Sequence, residues 1–168
     1  MRAIQTALIA CTLAVACGDG EPPRTLGPAD VTGLPAGTAV GTTFSGSYLI
    51  AQGGVTGCRC RAGSCVGTRA ATGTLVTVAE EDGALMMTTA DGSVCTGGID
   101  SEGTFWCGGA VEQTDVSEYT LSKGWIATAN GQPTTASMTA ELTLKISTNG
   151  VVSDCDIRVG ARLRFEGL

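Results

Sequence analysis

From Thr42 to the C-terminus, apolar and polar residues alternate with a period of two, in runs separated by turn-forming residues. Phe44, Gly46, Tyr48 and Ile50 share one face of the first run. Residues 73–80 and 84–90 flank Glu81-Asp82-Gly83, and residues 93–99 and 104–111 flank Asp100-Ser101-Glu102-Gly103. Residues 118–129 and 134–147 flank Asn130-Gly131-Gln132-Pro133, and a last pair turns at Asn149-Gly150. Asn-Gly is a strong hairpin signal because both central residues of a type I′ turn need positive φ. No segment carries a sustained 3.6-residue apolar stripe, so little helix is expected. The pattern predicts an all-β fold: an antiparallel meander closing into a small up-and-down β-barrel, with a β-sandwich as the alternative.

The last hairpin can be registered from sequence. A two-residue turn at Asn149-Gly150 pairs Thr148 with Val151. Leu144 then faces Cys155, Leu142 faces Ile157 and Ala140 faces Val159 on one side. On the other side Lys145 faces Asp154 and Glu141 faces Arg158. A one-residue slip would set charges beside the apolar set. The register therefore predicts Glu141 outside and Cys155 inside.

The first 41 residues break this rhythm. Arg2 precedes a short apolar run over residues 3–16, too short to span a bilayer, which needs about 20 residues. Residues 1–16 are expected to be a signal peptide, 17–41 a flexible Gly/Pro-rich tether, and 42–168 a single all-β domain. Ala14-Val15-Ala16-Cys17 resembles the lipobox of bacterial lipoproteins, with Ala where Leu is more usual. The resemblance implies acylation of Cys17 and a lipid anchor in the cell envelope, on the periplasmic face or the cell surface. Ordinary cleavage after Ala16, giving a secreted protein, is the rival, and Leu8-Ile9-Ala10-Cys11 is a second lipobox-like run. Lipidation at Cys17 removes Cys11 and leaves six cysteines to pair; either rival leaves an odd number.

Composition narrows the function classes. The formal charge is −6, and losing Arg2 with the signal makes it more negative. An acidic domain is a poor partner for nucleic acid or anionic lipid, so membrane contact would come from the acyl group. The chain has no histidine, which excludes His-dependent catalysis and His metal sites. Ser-x-x-Lys, Gly-x-Ser-x-Gly and phosphate-cradling glycine motifs are also missing.

The run Cys58-Arg59-Cys60-Arg61-Ala62-Gly63-Ser64-Cys65 could hold a soft metal or a redox centre, but an exported thiol normally pairs. Cys58, Cys60, Cys65, Cys95, Cys107 and Cys155 are therefore disulfide candidates, with no metal site expected. Cys95 and Cys107 are symmetric about Ser101 and are expected to face each other across one hairpin. Inward-facing Cys155 is expected to tack the 58–65 loop to the last hairpin. Asp100-Ser101-Glu102-Gly103 has the letters of a calcium-loop start but lacks the remaining ligands, and suits a turn. Glu80, Glu81 and Asp82 are expected at a solvated turn. Arg158, Arg162 and Arg164 alternate along the outer face of the last strand; such a stripe could bind an anionic polymer, but they are expected to pair charges and protect a strand edge. Trp106 and Trp125 are expected in the core.

Gly46-Ser47-Tyr48 is similar to the Gly-x-Trp of lipocalins, with Tyr in place of Trp. That resemblance implies a calyx with an apolar small ligand against Tyr48 and Trp125. The functional expectation is a non-enzymatic, lipid-anchored envelope protein, without cofactor, whose β domain binds a small apolar ligand or an envelope protein. A carboxylate-dependent hydrolase is the first alternative, requiring two acids that converge in a cleft. A structural or adhesive component using free strand edges is the second.

Overall fold

In the computed structural model the described residues are 23–61, 72–148 and 151–167. Eight strands follow in meander order: β1 (Gly46–Cys60), β2 (Leu75–Glu81), β3 (Ala84–Thr89), β4 (Val94–Ile99), β5 (Thr104–Glu112), β6 (Val116–Ala129), β7 (Gln132–Thr148) and β8 (Val151–Gly167). Each pairs antiparallel with the next, and β8 returns to β1 to close an up-and-down barrel. The sandwich alternative does not form. Helix is limited to α1 (Pro28–Val31), a single turn.

Turn chemistry sets the hairpins. Asp82 and Asn130 adopt positive φ (46° and 54°), each followed by a glycine that does the same. These two-residue turns pair Glu81 with Ala84 and Ala129 with Gln132, so β7 begins two residues earlier than the pattern suggested. Asp100 Oδ1 accepts the N–H groups of Glu102 and Thr104 at 3.0 and 2.8 Å, which commits its carboxylate to the turn. The Asn149-Gly150 turn lies outside the described residues, but every pair expected around it forms, from Thr148 with Val151 to Ala140 with Val159. Glu141 faces outward and accepts from Arg158 at 2.8 Å.

The interior is filled by the barrel's own side chains. Tyr48, Val76, Val78, Leu85, Met87, Ile99, Phe105, Ile126 and Leu163 form one core, which Phe44 and Ala39 close from below. Tyr48 is fully buried, stacks edge-on against Phe165, and donates its hydroxyl to Phe44 O at 2.8 Å.

The expected tether ends earlier than the pattern suggested. Residues 18–22 lie outside the described residues, but from Pro23 the chain is a strap bound to the outer wall. Leu26 and Val31 pack against Tyr119 and Leu121 of β6 as a second apolar cluster. The strap then crosses β5, where Trp106 Nε1 donates to Pro35 O at 3.0 Å. It reaches the barrel's lower rim through Gly37 N–H to Gly83 O and Ala39 N–H to Ile99 O. Glycines form the wall beneath it: a Cβ at Gly108 would lie 2.1 Å from Val31 O, and one at Gly98 2.6 Å from Pro35 O. Residues 23–41, expected as part of a tether, thus pack against the barrel. The segment lacks a period because it crosses strands rather than pairing with one.

Candidate functional site

Tyr48 and Trp125, the expected calyx ligands, are not brought together. Tyr48 is on the inner face with its hydroxyl already bonded, and Trp125 is on the outer face, 51% exposed. Trp106 is also on the outer face, under the strap. Neither tryptophan is in the core. The reason is the phase of β6: Ile126 points inward against Phe105, so its neighbour Trp125 must point out.

The described cysteines are disulfide-bonded. Cys60 bonds to Cys155, joining the end of β1 to β8, and Cys95 bonds to Cys107. Cys58 is disulfide-bonded as well. Cys17 and Cys65 lie outside the described residues. The 95–107 pair forms, but not face to face. Cys107 stands opposite Gly97, because the hairpin is centred on Glu102 rather than Ser101, and the bridge runs diagonally.

Beside the Cys60–Cys155 bridge, a polar hollow of about 580 Å³ is lined by Thr25, Arg59, Arg61, Thr143, Lys145, Asp154 and Asp156. Asp156 is its hub. It accepts from Thr25 Oγ1 at 2.7 Å, Arg59 at 2.8 Å and Thr143 Oγ1 at 2.9 Å. Thr143 Oγ1 in turn accepts the Leu26 N–H at 2.7 Å. Burial works to raise the Asp156 carboxyl, but the hydrogen bonds from Arg59, Thr25 and Thr143 and the Arg59 charge outweigh it and hold the group below the usual range. These contacts pin the strap's first residues to β1, β7 and β8. Among the described residues, no group of three His, Cys, Asp or Glu side chains is placed to hold a metal ion.

Glu80 corrects the expectation of a solvated acidic turn. It continues the inward parity of Val76 and Val78 and is buried. Oε2 accepts the Phe44 N–H at 2.8 Å, and Oε1 is buried without a partner. Burial raises its pKa, and the nearby Asp82 charge adds to the rise against the Phe44 bond. A raised folded pKa means that the native state keeps a proton the unfolded chain has lost above about pH 4.3. This contribution to stability is full at lower pH and falls as pH rises through the folded pKa. Glu80→Gln, which keeps an acceptor for Phe44, is expected to raise Tm at pH 7 by about 2–4 °C, corresponding to about 1 kcal/mol, and to change it little at pH 4. Thermal scans across that range check it; an unchanged or lower Tm at pH 7 would contradict it.

The arginines of β8 need another explanation than edge protection. β8 is paired on both sides, with β1 and with β7, so it has no edge. Arg158 bonds Glu141 and Arg164 bonds Glu166. Arg162 lines an open depression of about 560 Å³ with Gln52, Ser137 and Thr139 over the glycines Gly53, Gly54 and Gly160. No protein-family model, curated protein or solved structure matches this chain.

Proposed function

We propose that the chain is a non-enzymatic, lipid-anchored protein of a bacterial cell envelope whose barrel is a binding or interaction module working through its outer wall. The observation that carries this reading is the filled interior. Tyr48 and Phe105 occupy the space a calyx ligand would need, and the hollows described above open to solvent. Two disulfides among the described residues support export to an oxidising compartment. The lipid at Cys17 rests on the lipobox-like run and the even cysteine count.

The hydrolase alternative needs two converging acids. Among the described residues, the two buried carboxylates lie on opposite faces of the wall: Glu80 inside with Phe44, Asp156 outside with Thr25. That weighs against it. The adhesive alternative needs free strand edges, and closure of β1 on β8 pairs the edges a flat meander would leave. The anchor is tested by intact-mass analysis of the native protein, with and without reduction. An N-terminal acylated Cys17 and a six-hydrogen gain on reduction are expected. A free thiol in the native protein, or an N-terminus without acyl mass, would overturn the lipid-anchored reading and favour secretion.

A further inference from the structure

We propose that the outer face of β6, β7, β8 and β1, centred on Trp125 and Arg162, binds a carboxylated, acidic polysaccharide. The strand registers place Trp125 beside Ser137, Ser137 beside Arg162, and Arg162 beside Gln52, in one row across the wall. Neighbouring strands are about 4.8 Å apart, so the backbone positions of Trp125 and Arg162 stand about 10 Å apart along the row. Trp125 is half exposed, and its Nε1 donates to Glu102 O at 2.9 Å, which fixes the ring on the surface. An indole held this way is a platform for the apolar C–H face of a sugar ring. Ser137, Thr139 and Gln52 offer short polar groups for hydroxyls, and a Cβ at Gly54 would meet nothing within 4 Å, so the floor is open.

Charge selects an acidic chain. The two other arginines on this side of β8 are neutralised by Glu141 and Glu166, whereas among the described residues Arg162 and Lys123 make no ion pair or side-chain hydrogen bond. Lys123 lies on the same face, two residues before Trp125. A guanidinium with its fork free matches a carboxylate in bidentate geometry. In a chain of net charge −6, these unpaired cations make a local basic site on an acidic body. An anionic membrane fits less well. It would need an apolar cluster to insert, and the row offers only Trp125.

The inference rests on the outer-wall reading above and not on the lipid at Cys17. The test uses the full chain carrying Cys17→Ser, exported and oxidised, with Trp106→Phe so that Trp125 is the only tryptophan. Polygalacturonate is the probe, with neutral dextran and phosphatidylglycerol vesicles as comparators. Polygalacturonate is expected to shift Trp125 emission saturably and to bind less tightly as salt rises. Arg162→Ala should weaken binding at least tenfold, with Arg162→Lys intermediate. Trp125→Ala, followed by affinity electrophoresis, should abolish retardation. Circular dichroism and Tm show whether each variant is folded, and Arg162→Glu serves if Trp125→Ala is not. Equal binding of dextran, preference for vesicles, or unchanged affinity in Arg162→Ala and Arg162→Glu would overturn the proposal. Loss of acylation at Cys17 in the native protein would leave it standing.

Discussion

Replacing both Cys60 and Cys155 by serine is expected to lower stability by about 4–5 kcal/mol, against about 3 kcal/mol for the Cys95→Ser/Cys107→Ser pair. The difference follows from loop length. The first bridge closes 95 residues and the second 12, and the entropy withheld from the unfolded chain grows with the logarithm of the loop. A domain of this kind has about 5–15 kcal/mol in total, so the first loss is a large share of it. Two further features add to the effect. Cys60 directly follows Arg59, which holds Asp156, and Cys155 precedes Asp156 itself. The bridge therefore restrains the residues that pin the strap. Removing both partners avoids leaving one thiol to mispair. Urea midpoints at 25 °C, with the slope checked for constancy, give the comparison. Equal losses for the two pairs, or a larger loss for the 95–107 pair, would show that loop closure is not what the long bridge contributes.

Gly108→Val is expected to lift the strap. The glycine's missing Cβ is where Val31 backbone sits, and the contact is with main chain, which cannot rotate away as a side chain can. Freeing the segment exposes Leu26 and Val31, both 2% exposed in the native state. At about 1.5–3 kcal/mol each, the loss is about 3–6 kcal/mol as an upper bound. The barrel core is on the other side of the wall, so its secondary structure should persist near room temperature. A protease should clip the variant within residues 23–41 well before the wild type, with the fragment from β1 onward surviving. Gly54→Ala is the control, since a Cβ there meets nothing within 4 Å. If Gly108→Val is as stable and as resistant to proteolysis as wild type, the strap contributes little to the fold.

The strand pattern was legible because turns and alternation carried it. The β7–β8 register followed from two opposed charge pairs and an Asn-Gly turn, and every register pair forms, although only Arg158–Glu141 makes an ion pair while Asp154 pairs with Arg61. Cys155 could be assigned inward on parity, which pointed to a bridge with one cysteine of the 58–65 run, and the structure shows that this cysteine is Cys60. The strap was not legible because its apolar residues cross strands, so their spacing follows strand separation rather than any period. The same fact hid Trp125. Tyr119 and Leu121 mark one face of β6 as apolar, which reads as the core side, but those residues pack under the strap on the outside. A strand buried on both faces gives alternation no phase. Glu80 is different: its parity with Val76 and Val78 was readable, but its place beside a turn drew the solvated reading. Arg162 could not be singled out among three alternating arginines until the partners of the other two were known.

The strap also has a mechanical meaning. If tension reaches Pro23 from the N-terminal side, it acts first on the Asp156 bonds, then on Leu26, then on Val31, one contact after another. Contacts loaded in series part like a zipper, at lower force than strands sheared together. The barrel, with its ends closed by β1 and β8, would feel no load until residues 23–41, which extend to about 65 Å at most, had come free. The segment thus works as a shock absorber, yielding length while the wall that carries Trp125 and Arg162 keeps its shape.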